Sequence, residues 1–175
     1  MFRILAIVAA LLGLVACNSS DGQSLDLEGN INPSMGYWVR VDYQTTVNDE
    51  SCLTLDTADG RWIRKFESRT VKPSINGTTH TLSAGLGHKG GPGKCGWRAE
   101  KIDLCIGPRD GSDTAARCQD LFVINDFAGP APTALFLACS PVNWNCLTLD
   151  GRTPYNEVKT FAGKLKLDLT LASGG

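Results

Sequence analysis

Eight residues near the C-terminus set the terms for the chain: Lys164 to Leu171 read Lys-Leu-Lys-Leu-Asp-Leu-Thr-Leu, apolar and polar in strict alternation. Successive side chains of a strand point to opposite faces, so this period of two places Leu165, Leu167, Leu169 and Leu171 on one side and the polar residues on the other. A helix would scatter the same leucines around its circumference. The period recurs upstream. Tyr37 to Tyr43 alternates and is rich in aromatic and β-branched residues, and Cys52 to Asp56 alternates before the turn dipeptide Asp59-Gly60. Arg61 to Val71 and Thr78 to Leu86 flank Asn76-Gly77, the most favoured pair for a two-residue hairpin turn, with Pro73 marking an edge or a strand end. Lys101 to Ile106, Leu121 to Asn125, Ala134 to Ala138 and Cys146 to Leu149 are further short strands, separated by Gly, Pro, Asn and Asp. Only Thr114 to Leu121 leaves room for a turn or two of helix. About eight or nine short strands with regular turn signals predict an all-β domain over residues 35–175, an antiparallel β-sandwich or small barrel.

The first residues read differently. Arg3 precedes an apolar run from Ile4 to Ala16, too short to span a bilayer and of the right length for a secretory signal. The run ends Leu14-Val15-Ala16-Cys17, which resembles the lipobox of bacterial lipoproteins. The resemblance covers about a tenth of the chain. It implies that residues 1–16 are a removed signal peptide and that Cys17 is acylated, so that the membrane is a partner through the lipid. Asn18 stands where an Asp would favour retention at the inner membrane, which implies an outer-membrane, periplasm-facing location. From Asn18 to Pro33 the chain is Ser, Asp, Gly, Gln and Asn with scattered Leu, so residues 17–34 are expected to be the acylated cysteine and a flexible tether.

With Cys17 assigned to lipid, six cysteines remain: Cys52, Cys95, Cys105, Cys118, Cys139 and Cys146. An even number in an exported chain reads as a disulfide framework, because the periplasm is oxidising. Sequence does not by itself choose the connectivity. The expected pairing takes Cys139 with Cys146, Cys105 with Cys118, and leaves Cys52 for Cys95. Zinc would call for a short Cys-x2-to-4-Cys pair, which no spacing here supplies.

The charges nearly cancel, with 17 Lys+Arg against 18 Asp+Glu, so the broad basic field that nucleic-acid binding requires is missing. Gly85-Leu86-Gly87-His88-Lys89-Gly90 carries the letters of a dinucleotide fingerprint, but Gly91-Pro92-Gly93 follows where a helix must open. A surface loop is expected, with Lys89 and Lys94 available for contact; no nucleotide, metal or other cofactor is expected. Cys-Leu-Thr-Leu-Asp occurs at 52–56 and again at 146–150, a repetition that half-buried strands ending in turns produce readily. Arg61, Arg64, Lys65, Arg69 and Lys72 against Glu67 read as a charged edge strand, or as a face for an acidic partner or anionic lipid. Of the four tryptophans, Trp38, Trp62, Trp97 and Trp144, the last two sit beside cysteines, where an indole packs over a disulfide.

No residue is singled out as catalytic. His80 alternates within a strand and is expected at the surface, while His88 lies in the glycine loop; no Gly-x-Ser-x-Gly accompanies either. Asp42, Glu50, Glu100 and Asp103 are carboxylates without a distinguishing pattern. The expected function is therefore a non-catalytic protein-binding module, of which an immunity or inhibitor lipoprotein acting on a periplasmic toxin is one form and an accessory subunit of an envelope assembly another. The contact surface is expected at Arg61, Arg64, Lys65, Lys89 and Lys94. The alternatives are a small hydrolase of peptidoglycan or glycan, with His80 or His88 among its acids and bases, and a structural envelope lipoprotein.

Overall fold

In the computed structural model, which describes residues 23–88, 95–110 and 115–172, Leu165, Leu167 and Leu169 are buried while Lys164 and Lys166 are exposed. Each fully buried leucine contributes about 1.5 to 3 kcal/mol, so this one face supplies a substantial share of the core. The strand, β14 (Lys164–Leu171), is central in a six-stranded sheet. It lies between β11 (Ala134–Cys139) and β1 (Ser24–Asn30); beyond β11 comes β12 (Cys146–Thr148), and beyond β1 come β7 (Thr79–Gly85) and β6 (Ser74–Asn76). A second sheet orders β13 (Asn156–Val158), β10 (Arg117–Ile124), β9 (Trp97–Pro108), β2 (Met35–Thr45) and β5 (Phe66–Val71), with β8 (Gly87–His88) pairing β9. Tyr37, Val39, Val41, Ile102, Leu104, Ile106 and Phe122 of this sheet join Leu25, Leu27, Leu82, Leu137 and Leu167 of the first in one core. The two sheets pack as a sandwich and do not close into a barrel. A separate ribbon of β3 (Leu53–Asp56) and β4 (Arg61–Arg64) pairs with neither sheet.

All three disulfides pair as the spacing suggested: Cys52 with Cys95, Cys105 with Cys118, and Cys139 with Cys146. The last two join residues directly opposite one another on adjacent antiparallel strands. Gly60 and Gly77 both sit at positive φ in the turns assigned to Asp59-Gly60 and Asn76-Gly77.

Several expectations require correction. The segment taken as a tether contains β1, whose Leu25 and Leu27 are fully buried between β7 and β14. Its alternation of Leu with Ser24, Asp26 and Glu28 is a strand signal diluted by polar neighbours. Fourteen strands are present among the described residues, not eight or nine, because Arg61 to Val71 breaks at Lys65, β6 turns back on β7, and β1, β8 and β13 add three more. The sandwich is also not purely antiparallel: β14 runs parallel to β1 and to β11, and β13 runs parallel to β10. The room for a helical turn before Leu121 is taken by β10, which is extended from Arg117 onward, while Thr114 lies outside the described residues. The two Cys-Leu-Thr-Leu-Asp segments, in keeping with an incidental repetition, occupy unlike places, one in the β3–β4 ribbon and one at the sheet edge. The charged edge is real for β5, which ends the second sheet and carries Arg69, but Arg61 and Arg64 belong to the ribbon.

Candidate functional site

His80 is the first candidate to place. It is buried in the core at 2% exposure, not on the surface. Its Nε2 lies 2.7 Å from the carbonyl of Leu167 and its Nδ1 2.7 Å from the hydroxyl of Tyr37, a residue of the opposite sheet. A carbonyl only accepts, so Nε2 carries the proton and Nδ1 accepts from Tyr37. Gly29 makes this reach possible. It pairs with His80 in β7, and a Cβ on it would lie 2.0 Å from the Leu167 oxygen. Burial holds the His80 pKa below its ordinary value and raises that of Tyr37. Both imidazole nitrogens are thus committed to the fold, and Tyr37 is itself only 4% exposed. His80 ties the sheets together and is closed to substrate.

The carboxylates disperse. Asp103 is buried on the second sheet and accepts from Arg40, with Nε at 3.0 Å, while Lys101 approaches it at 3.2 Å and Asp120 at 2.7 Å. Asp42 accepts from Ser68 at 2.5 Å. Glu50 sits in the 3₁₀ turn Glu50–Cys52, and Glu100 lines a groove with Arg98. The contacts of Asp103 and Asp42 read as structural pairing.

The expected contact residues divide between described and undescribed positions. Lys89, Lys94 and Cys17 lie outside the described residues, as do residues 1–16; of the glycine loop, the backbone of Gly87 and His88 pairs with β9. Arg61, Arg64 and Lys65 are brought together on the β3–β4 hairpin, whose base is held by the Cys52–Cys95 bridge. Thr45 Oγ1 donates to the Cys52 carbonyl at 2.8 Å, and the backbone N–H of Lys65 reaches the same carbonyl at 3.2 Å. Opposite one another on this hairpin stand Leu55 and Trp62, the latter 62% exposed. Trp97 and Trp144 pack against the core as expected, whereas Trp62 does not. Arg64 shares Trp62's face of the ribbon and lines a groove of about 360 Å³ with Arg98, Asp126 and Phe127, the last 97% exposed. Arg98 donates to Asp126 at 2.6 and 3.0 Å and holds that carboxyl below its usual range.

A second surface lies at the opposite end, roughly the length of β1 or about 20 Å away. The loop from Ser140 to Asn145 is closed by the Cys139–Cys146 bridge and braced internally, with Ser140 N–H donating to Asn145 and Trp144 N–H to Ser140, each at 2.9 Å. Val142 at its apex is 89% exposed. Gln119 fixes the loop to the second sheet: its amide donates to the Cys146 carbonyl at 3.2 Å and its oxygen accepts from the Cys146 N–H at 3.0 Å. Beside the loop runs a groove of about 400 Å³ lined by Arg117, Cys118, Asp120, Asn145, Pro154 and Tyr155. Sequence reading missed this surface. Its available signal was a lone valine between Pro141 and Asn143 inside the shortest cysteine interval, which only the disulfide turns into a rigid, outward-facing apex.

The chain matches no protein-family model, no curated protein and no solved structure. The geometry of these two surfaces is therefore what bears on function.

Proposed function

We propose that the chain is an outer-membrane-anchored, periplasm-facing lipoprotein whose β-sandwich is a non-catalytic protein-binding module. It acts either as an immunity or inhibitor lipoprotein against an incoming toxin or as an accessory subunit of an envelope assembly. The observation that carries the reading is the disulfide-closed 140–145 loop with its exposed Val142, set beside a groove containing Arg117, Asn145 and Tyr155. A loop already rigid in the free protein loses little entropy on binding, and an apolar apex beside Arg and Tyr is the composition of protein interfaces. The three disulfides support residence in an oxidising compartment.

The test is affinity capture from envelope extract and from competitor supernatants, run in parallel with Val142→Asp and Tyr155→Ala. One stoichiometric partner lost in both variants is the expected result; a partner that both retain refutes the assignment of this surface. Cys17→Ala should release the protein from membrane fractions, and a protein that stays bound refutes the anchor.

A further inference from the structure

Gln23, the first described residue, and the β3–β4 hairpin lie at the same end of the sandwich. Gln23 accepts a hydrogen bond from the Leu86 N–H at 2.9 Å; the next residue, Gly87, pairs with Arg98, and Arg98 stands three residues from Cys95, which is bridged to Cys52 at the hairpin's base. Because β1 belongs to the fold, six residue steps separate Cys17 from Gln23, not a sixteen-residue tether. Fully extended, six residues span at most about 22 Å. This end of the domain is thereby confined close to the lipid, at a high effective concentration.

Among the described residues, this end also carries six of the ten large apolar side chains left exposed. Val47, Leu55, Trp62, Ile63, Phe66 and Phe127 are all exposed, and neither β3 nor β4 has a fully buried residue. Trp and Phe interleaved with Arg61, Arg64 and Lys65 are the side chains that favour a headgroup boundary: the rings enter the apolar edge while the long cationic stems reach back to phosphate. The hairpin holds these three cations against Asp56 and Asp59, and Asp49 and Glu50 precede it, so net charge supplies little attraction.

We propose that the β3–β4 hairpin, with Phe127, docks on the membrane that holds the anchor, placing Trp62 and Leu55 in the interfacial layer and turning the 140–145 loop toward the periplasm. The inference rests on the lipoprotein reading. Attraction here is mainly apolar, so docking persists in high salt, and it demands no anionic lipid.

The experiment uses the acylated full-length protein in phosphatidylethanolamine–phosphatidylglycerol vesicles, with Trp62 emission isolated as the difference from Trp62→Phe. Trp62 is exposed, so this variant leaves the core intact. Brominated acyl chains should quench that difference emission, acrylamide should not, and high salt should change neither. Leu55→Asp with Phe127→Asp should restore access to acrylamide. Trp62 emission that acrylamide quenches and bromine leaves untouched overturns the proposal, as does a photo-crosslinker at Leu55 that captures a protein in cells instead of lipid. Mass spectrometry of the Cys17 peptide in the same sample separates the two possible failures. A peptide without acyl chains refutes the anchor, whereas an acylated peptide with no bromine effect refutes the docking alone.

Discussion

Replacing His80 with asparagine should remove an acid-sensitive component of stability. In the native state burial disfavours the imidazolium, and the Leu167 carbonyl and the Tyr37 hydroxyl satisfy the neutral ring. The unfolded chain has no such environment, so its histidine protonates at the ordinary value of about 6.5. Because the folded pKa is the lower one, the contribution is fully present above about pH 6.5 and is lost as the pH falls below it. The loss levels off once the folded ring also protonates. The slope is at most about 1.4 kcal/mol per pH unit, which limits the loss to about 2 kcal/mol by pH 5. At neutral pH the variant is itself weaker, since each buried partner left unpaired costs about 1 to 3 kcal/mol. Urea unfolding with the disulfides intact, repeated between about pH 7 and pH 5, measures both effects. The chain has two histidines, so NMR titration of the wild type, assigned with His88→Gln, reads the His80 pKa directly. A His80 that titrates at or above its ordinary value, or an Asn variant with an undiminished acid limb, would refute the reasoning.

Two further outcomes follow from the packing. Gly29→Ala places a Cβ 2.0 Å from the Leu167 oxygen, a backbone atom that cannot yield without breaking the His80 contact, and should cost more than about 3 kcal/mol in the same unfolding assay. A change below about 1 kcal/mol would show that β1 and β14 tolerate separation at this point. Removing the disulfides singly as Cys-to-Ala pairs should destabilise in the order of the loops closed. Sequence separations of 43, 13 and 7 correspond to about 4, 3 and 2.4 kcal/mol for Cys52–Cys95, Cys105–Cys118 and Cys139–Cys146. Thermal melts in oxidising buffer test the ranking, and a reversed order would show that native packing outweighs loop entropy.

What could be read in advance was local. Alternation marked β14 and β2, Asn-Gly and Asp-Gly marked two hairpin turns, and the two short cysteine intervals favoured the pairs that formed, because each signal is written within a few consecutive residues. β1 escaped because a single strand between Asp, Gly and Asn looks like linker until β7 and β14 are seen to flank it. His80 was misplaced for a related reason: alternation assigns two faces but does not say which one is covered, and in β7 the histidine's face is the inner one.

The residues alone therefore determined that this chain forms strands and where its sharpest turns fall, since backbone geometry and local polarity decide these, and the even count of cysteines beyond Cys17 pointed to a disulfide framework. The tertiary structure alone decided that Gly29 opens a path for His80 to Leu167, that Gln23, where the described chain begins, shares an end with Trp62, and that Val142 lies at the other end. Those are relations between strands remote in sequence, fixed only when the two sheets close on a common core.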